Sequence, residues 1–335
     1  MIPYRHSTAS SMALNTRHNV YLTITAMTLA VMAVVSLFVG KYPLTLQGLL
    51  AGETMQVNVF RNLRLSRTLM GVIGGFCLGA AGFVYQTVFR NPLASPDIIG
   101  VTSGASAGAA AGILFLSSGA QVTAASFFGA VLAVALTLSL SGLDRTGRAG
   151  TIVLAGIAVH ALAQTVLMAL KLTADPEREL ASIEYWIMGS LNGISIYKLP
   201  GNLARCLGCT AALLVLHRQI VLLSAEEGEA RMLGVPVTVL RLGVLLLATL
   251  SVACVVSLTG VISFIGLLAP HGARLLTGRN DRKTMVLSGL LGGVLLCGAD
   301  ILARTVAATE LPVSIFTSLL GAPFLVWLIV RRKTC

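Results

Sequence analysis

Long apolar runs separated by short polar breaks recur along almost the whole chain, and most are about as long as a helix must be to cross a bilayer. They predict helical spans at 20–40, 68–89, 98–116, 121–141, 150–171, 199–217, 238–258, 262–277, 284–303 and 313–330. The sixth is interrupted near one end by Arg205, and the eighth is short and carries Pro270 and His271. Both fit a helix whose charged residue snorkels to the interface. The first run, Val20 to Gly40, is too long for a signal-peptide core and has no small-residue cleavage site before Lys41. It reads as a retained span behind a cytoplasmic tail, residues 1–19, with 20–335 forming one transmembrane domain.

Composition narrows the class. Of the 335 residues, 56% are apolar and 11% charged, against about a quarter charged in a typical soluble domain. A water-soluble globule needs more polar surface, and a disordered chain has fewer apolar residues. The expectation is an all-α polytopic membrane protein with no soluble stretch long enough for a catalytic domain. The net charge of +11, from 24 Lys and Arg against 13 Asp and Glu, would suggest nucleic acid in a soluble protein. Here the charges punctuate the apolar runs and report topology instead. With the N-terminus inside, 15 basic residues fall in inside segments and 8 outside, and Arg205 within span six completes the 24. That bias, and the even number of spans, place both termini on the cytoplasmic side. Five cysteines lie in apolar segments and Cys335 is terminal, which suggests buried free thiols and no disulfide framework.

Small residues recur at four-residue spacing: Gly71, Gly75 and Gly79 form one ridge, and Gly100, Gly104, Gly108 and Gly112 another. Such ridges let helix backbones approach closely in lipid. Divided near residue 200, the chain gives two sets of five spans, so any repeat would be inverted, a common transporter design.

Little in the sequence could carry out chemistry. Gly40-Lys41 is followed by Tyr42 and lacks the preceding glycine of a phosphate loop, so no nucleotide-binding machinery is present. Cys206 and Cys209 form a single CxxC in an apolar helix, and no metal site is expected there. His160 and Gln164 lie one turn apart in span five and either bond a neighbouring helix or line a pathway. Asp300 is the one acidic residue within a span, and Arg304 lies one turn on, which suggests a helix-end ion pair. A self-powered carrier would show a relay of buried carboxyl groups. The loop at about 219–237 is the longest polar segment between spans on the inside. Ser224 can cap a short helix there, with Glu226 and Glu227 in its first turn, Met232 and Leu233 as an apolar turn, and Gly234 and Pro236 as its stop. It reads as a solvated connector or as an amphipathic helix that docks into a soluble partner. Arg61, Arg64 and Arg67 before span two, and Arg304 at the end of span nine, put positive charge outside against the bias. They either snorkel and pair with Glu53 and Glu310, or form a docking surface for an acidic partner.

Three signatures make a resemblance. The first is Arg64-Leu65-Ser66-Arg67, then Gln86, then Arg90-Asn91-Pro92-Leu93-Ala94-Ser95-Pro96-Asp97-Ile98-Ile99-Gly100. The second is Ile262-Ser263-Phe264-Ile265-Gly266-Leu267, continuing to Pro270, His271 and Arg274. The third is Ala299-Asp300 to Arg304, then Glu310-Leu311-Pro312-Val313 and Gly321-Ala322-Pro323. In this order they resemble the FecCD-type permeases, membrane subunits of ABC importers for iron–siderophores, haem and cobalamin. Ser66 and Val261 stand where the family usually has proline, and Ser314 where it often has glycine; the first departure implies a looser turn at Ser66.

The resemblance implies a ten-helix permease of the type II, cobalamin-permease-like fold, paired with a second identical or homologous permease around a central path. It implies a coupling helix, carried by Glu226, Glu227, Glu229, Ala230, Arg231, Leu233 and Gly234, seated in clefts of two cytoplasmic ATPase subunits. Arg64, Arg67 and Arg304 match arginines that receive carboxylates of a periplasmic binding protein. Gln86, Arg90, Asn91, Pro92, Pro96, Gly100, Gly266, Pro270, His271, Arg274, Asp300 and Pro312 are the structural residues of its motifs. No cofactor or metal is expected on the chain itself, and ATP is used by the partner. Ala94-Ser95-Pro96-Asp97 and Gly321 to Trp327 look most like siderophore or ferric-dicitrate permeases, with cobalamin or haem as the alternative cargo. The expectation is therefore a multi-pass, bacterial inner-membrane permease of an ATP-driven iron–siderophore importer. A self-powered secondary transporter and a purely structural membrane scaffold are the competing classes.

Overall fold

A computed structural model describes residues 8–143, 149–194, 196–197, 199–224, 236–307 and 309–332. Among the described residues, ten principal helices occupy the ten places that the apolar runs predict. They are α1 (Thr8–Phe38), α2 (Ser66–Val88), α3 (Val101–Phe115), α4 (Gly119–Gly142), α5 (Ala149–Thr173), α6 (Leu199–Val215), α7 (Val237–Thr259), α8 (Ile265–Thr277), α9 (Arg282–Thr305) and α10 (Val313–Arg332). Helices α1, α2, α4, α5, α7 and α9 are long and apolar enough to cross a membrane by themselves. The 13 residues of α8 reach only about 20 Å, short of a hydrocarbon core of about 30 Å. Its 262–277 run is apolar but not helical throughout: Val261–Ser263 lies outside any helix, and α8 begins only after Phe264, whose φ is +67°. Similarly, the start of the 98–116 run is a 3₁₀ turn, Pro96–Ile99, ended by Gly100 at φ +83°. Gly100 therefore supplies a left-handed turn, with more room around it than the packing ridge assigned to it would leave.

Helix α2 is the axis of the molecule. It is buried along nearly its whole length and packs against α9, α8, α7, α6 and α1. Its most extensive partner is α9, and the glycine ridge lets the two backbones meet. A Cβ on Gly75 would stand 2.5 Å from the Gly292 carbonyl oxygen. One on Gly79 would overlap the Ser288 carbonyl. The backbones thus touch, and Ser288 Oγ donates to the Gly79 carbonyl at 2.6 Å. The second ridge packs α3 on α4: Gly104 and Gly108 meet Gly129 and Ala125 backbone to backbone. Helix α5 lies on this pair, and α10 packs on α9 and α8.

Helical structure also appears where the apolar pattern predicts none. Leu46–Leu50, Thr54–Asn58 and a π-wound stretch, Val59–Leu65, lead into α2, so the helix runs on without a break from Thr54 to Val88. The looser turn expected at Ser66 is absent: Ser66 is inside this helix, and its hydroxyl donates to the Asn62 carbonyl at 3.0 Å. Serine has the N–H and the room that let a helix continue where proline disfavours it. A nine-residue helix, Glu179–Ile187, follows α5.

Candidate functional site

Among the described residues, two dense hydrogen-bond networks lie at opposite ends of α2. At its beginning, Asp300 of α9 holds two guanidinium groups. Its Oδ2 is 2.8 Å from Nη2 of Arg304, one turn further along α9, and its Oδ1 is 2.9 Å from Nη2 of Arg67. Arg67 reaches onward to Glu310 Oε2 at 2.9 Å and to Asn192 Oδ1 at 3.4 Å. Arg304 donates to the carbonyls of Ser36 and Val39 at 3.1 and 3.2 Å and to Ser36 Oγ at 2.7 Å. Arg64 donates to the carbonyls of Val39 and Tyr42. The carbonyls at the end of α1 have no helical partner of their own, and the two arginines supply their donors. Gly40 fits because any Cβ there would occupy the place of the Arg64 guanidinium. Three cations against two carboxylates leave the cluster with a net charge of +1.

Arg64, Arg67 and Arg304, which the sequence puts on the outer side as snorkelling or docking arginines, are buried: only 6%, 5% and 1% of their surfaces are accessible. They are drawn inward by Asp300, Glu310 and the α1 carbonyls, because a charge removed from water must find partners nearby. The helix-end pair of Asp300 with Arg304 is present, as is the pairing of this cluster with Glu310. Arg61 is exposed at the same end, whereas Glu53 bonds Gln56 at 2.7 Å.

Beside the cluster, the turn after Glu179–Ile187 ties three segments together. Ser190 N–H donates to the Thr259 carbonyl at 2.7 Å, and Val313 N–H, just past Pro312, donates to the Gly189 carbonyl at 3.0 Å. Ser314 Oγ donates to the Val261 carbonyl at 2.6 Å. Two of the three positions at which the chain departs from the family motif therefore touch, and the hydroxyl supplies a bond that a glycine there could not make.

At the far end of α2, Arg274 of α8 is the hub. Its guanidinium donates to Gln86 Oε1, to Thr87 Oγ1 at 2.8 Å, to the Phe83 carbonyl at 3.2 Å and to Asn280 Oδ1 at 3.1 Å. It lies 4.5 Å from the centre of the Phe83 ring, within cation–π range. Gln86 Nε2 returns a bond to the Leu267 carbonyl at 3.1 Å. Pro270 has no N–H to give the Gly266 carbonyl, and that carbonyl instead abuts Gly82, where a Cβ would overlap it. Gly266 itself lies against buried Pro96. His271 meets Phe324 edge to face at 5.6 Å and so joins α8 to α10. After α2, Arg90 turns the chain with φ +50° and its Nε donates to the Leu223 carbonyl at 3.3 Å. Asn91 Oδ1 accepts from Leu93 N–H at 2.9 Å around partly buried Pro92. The motif residues are thus brought together as two helix-end clamps.

Residues Glu226, Glu227, Glu229, Ala230, Arg231, Leu233 and Gly234 lie outside the described residues; the helix His217–Leu222 leads towards them, and Pro236 precedes α7. His160 and Gln164 are on α5 with partly exposed side chains. The sequence reading missed Ser36, Asn192 and Asn280 as clamp partners. A serine or asparagine beside an apolar run carries no mark of the arginine that will reach it, and only the fold supplies that pairing.

Fold and clamps together define an ABC importer permease. A solved inward-facing structure of an ABC transporter described as metal-chelate type matches with a TM-score of 0.85 and 33% identity, covering 92% of this chain and 98% of that one. The FecCD transport family model matches residues 28–331, and the chain belongs to that family. It is similar to the cobalamin import system permease BtuC of Halobacterium salinarum, 37% identical over 84% of this chain and 75% of that one. It is also similar to a Helicobacter pylori protein described as a probable iron chelatin transport system permease, 35% identical over 82% and 83% of the two. The chain is a transport subunit and not an enzyme; ATP is hydrolysed by a separate ATPase.

Proposed function

We propose that this permease carries a ferric siderophore, with ferric dicitrate as a representative cargo, across the bacterial inner membrane. The observation that carries the reading is the full-length likeness to a transporter described as metal-chelate type, supported by the iron chelatin relative and by the Ala94–Asp97 and Gly321–Trp327 segments. The cobalamin relative favours a corrinoid as the second reading. The cargo would arrive as a finished chelate, so the permease needs no iron ligands or cofactor of its own. Uptake of labelled chelates by cells lacking this chain tests the choice. Restoration of ferric dicitrate or ferric siderophore uptake supports the proposal, and restoration of cobalamin or haem uptake alone overturns it.

The assembly we infer has two permeases, two ATPases on the cytoplasmic side and a periplasmic binding protein, with both permease termini cytoplasmic. The segment from Glu226 to Gly234 would seat in the ATPase. The binding protein would dock at the end that holds Arg64, Arg67 and Arg304. Because those side chains are engaged within the chain, their part is to hold α1, α2 and α9 in register beneath the docking surface. They would meet a partner carboxylate directly only where it displaces Glu310 or an α1 carbonyl.

A further inference from the structure

The topology bias accounts for basic residues at the inner ends of the spans, but not for the convergence of several on one groove. That groove, of about 550 Å³, runs between the helix His217–Leu222 and the turn that joins α8 to α9. Arg218, Val221 and Leu222 line it from the first side, and Asp281, Arg282 and Lys283 from the second. Both walls are anchored. The short helix packs on α2, α6 and α7, and the Leu223 carbonyl at its end accepts from Arg90. Across the groove, Gly278 ends α8 at φ +65°, and Asp281 caps α9, its Oδ1 accepting from Thr284 N–H at 2.9 Å. Asn280, between them, is held by Arg274 of the inner clamp at 3.1 Å.

The lining combines two chemistries. Arg218, Arg282 and Lys283 against Asp281 leave it with a net charge of +2 when His217 is neutral. Arg218 and Arg282 are exposed, and among the described residues neither has a hydrogen bond or an ion pair. Lys283 Nζ donates to Asn19 Oδ1 at 2.8 Å, which extends the basic rim to the inner end of α1, where Arg17 is exposed. Val221 and Leu222 add half-buried apolar surface to the same groove. Helix α9 is long and apolar enough to span from Arg282 onwards, so the groove opens at the level of the lipid headgroups. A free anion would use the cations alone. A phospholipid uses the cations for its phosphate and the apolar surface for the carbons that follow.

We propose that this groove binds an anionic phospholipid of the cytoplasmic leaflet, phosphatidylglycerol, with its phosphate between Arg218 and Arg282 and its upper acyl carbons against Val221 and Leu222. A lipid there bridges the helix that leads to the coupling segment and the start of α9. It thereby ties that segment to the inner clamp. The choice of leaflet rests on the orientation inferred from the charge count; the site itself does not.

Native mass spectrometry of the purified permease in neutral detergent, titrated with phosphatidylglycerol or with phosphatidylcholine, tests the site without reference to orientation. The first phosphatidylglycerol should bind about tenfold or more tightly than phosphatidylcholine, and the Arg218→Gln, Arg282→Gln double variant should lose that preference. The Arg218→Lys, Arg282→Lys variant should keep most of it. Arg61→Gln with Arg178→Gln, which removes two exposed arginines elsewhere, should keep it in full and so separates the groove from net charge. Equal binding of the two lipids to the parent, or an unchanged preference in a folded, monodisperse Gln double variant, overturns the site. Glycerol 3-phosphate in large excess should leave the lipid in place; its displacement of the lipid would assign the groove to a free phosphate and overturn the lipid. The titration is repeated with the ATPase subunits bound. Phosphatidylglycerol retained on that complex supports the proposal. Expulsion of the lipid by the ATPase, or a Gln double variant that loses ATPase affinity but binds lipid as the parent does, assigns the groove to the ATPase and overturns it.

Discussion

Arg67 and Asp300 stand 233 positions apart in the sequence and 2.9 Å apart in the fold. One carboxylate thereby joins the start of α2 to the end of α9, and through Arg304 it also fixes the end of α1. Both side chains are buried. A buried pair of this kind adds little net stability over well-packed apolar residues, but removing one member leaves the other without its counter-charge.

Asp300→Ala leaves Arg304 with neutral acceptors only and Arg67 with Glu310 as its remaining counter-charge. The expected loss is about 3–5 kcal/mol, read as a lower melting temperature and a smaller folded fraction of the detergent-solubilised protein. Asp300→Asn keeps an acceptor and should lose less. Combining Asp300→Leu with Arg304→Met should recover part of the loss. Equal stability of Asp300→Ala and the parent would refute the clamp.

Arg304→Glu separates the clamp from direct docking. The clamp account expects much less folded permease, with binding-protein affinity per folded molecule within about twofold of the parent, because a side chain only 1% accessible adds little to a rim contact. Association constants measured on purified monodisperse protein decide between them. A large, salt-sensitive fall in affinity with normal folding yield would show that Arg304 meets the partner directly.

Gly79→Leu should prevent the close approach of α2 and α9, since even a Cβ would overlap the Ser288 carbonyl. Overpacking of this kind costs about 1–3 kcal/mol or more, and Gly79→Ala should be milder. Gly142, whose Cβ would meet nothing within 4 Å, is the control. Size-exclusion profiles in mild detergent that rank Gly79→Leu equal to Gly142→Leu would contradict the packing role.

The orientation inferred from the 15-to-8 distribution of basic residues is open to reporter fusions. Fusions near Gly52, Glu179 and Glu310 should read periplasmic, and those after Arg148, Lys283 and Lys333 cytoplasmic. A periplasmic signal at Lys333 would reverse the assignment of the ends.

The ten helix positions were legible because an apolar run of membrane length has few other uses. The Asp300–Arg304 pair was legible because a separation of four residues already puts two side chains on one helix face. The burial of Arg64, Arg67 and Arg304 was not. An arginine at the mouth of a span looks the same whether it points to solvent or folds inward: Arg64 and Arg304 are held by backbone carbonyls of Ser36, Val39 and Tyr42, which leave no trace in side-chain identity, and Arg67 by side chains of Asn192, Asp300 and Glu310 that lie more than a hundred positions away. Helix Glu179–Ile187 was hidden because its polar and apolar residues alternate too briefly to form a span, and its stability comes from packing. Gly100 looked like one more step of a glycine ridge, and only its backbone angle reveals a turn.

The proposed function requires that a ferric chelate pass through this chain with energy supplied by another polypeptide. Its most direct test is uptake into proteoliposomes that hold the purified permease with its ATPase, with the binding protein added outside. The account predicts ferric chelate accumulation that requires internal ATP and the binding protein, and that stops when the phosphate-loop lysine of the ATPase is replaced. Accumulation by the permease alone, driven by an ion gradient, would contradict it.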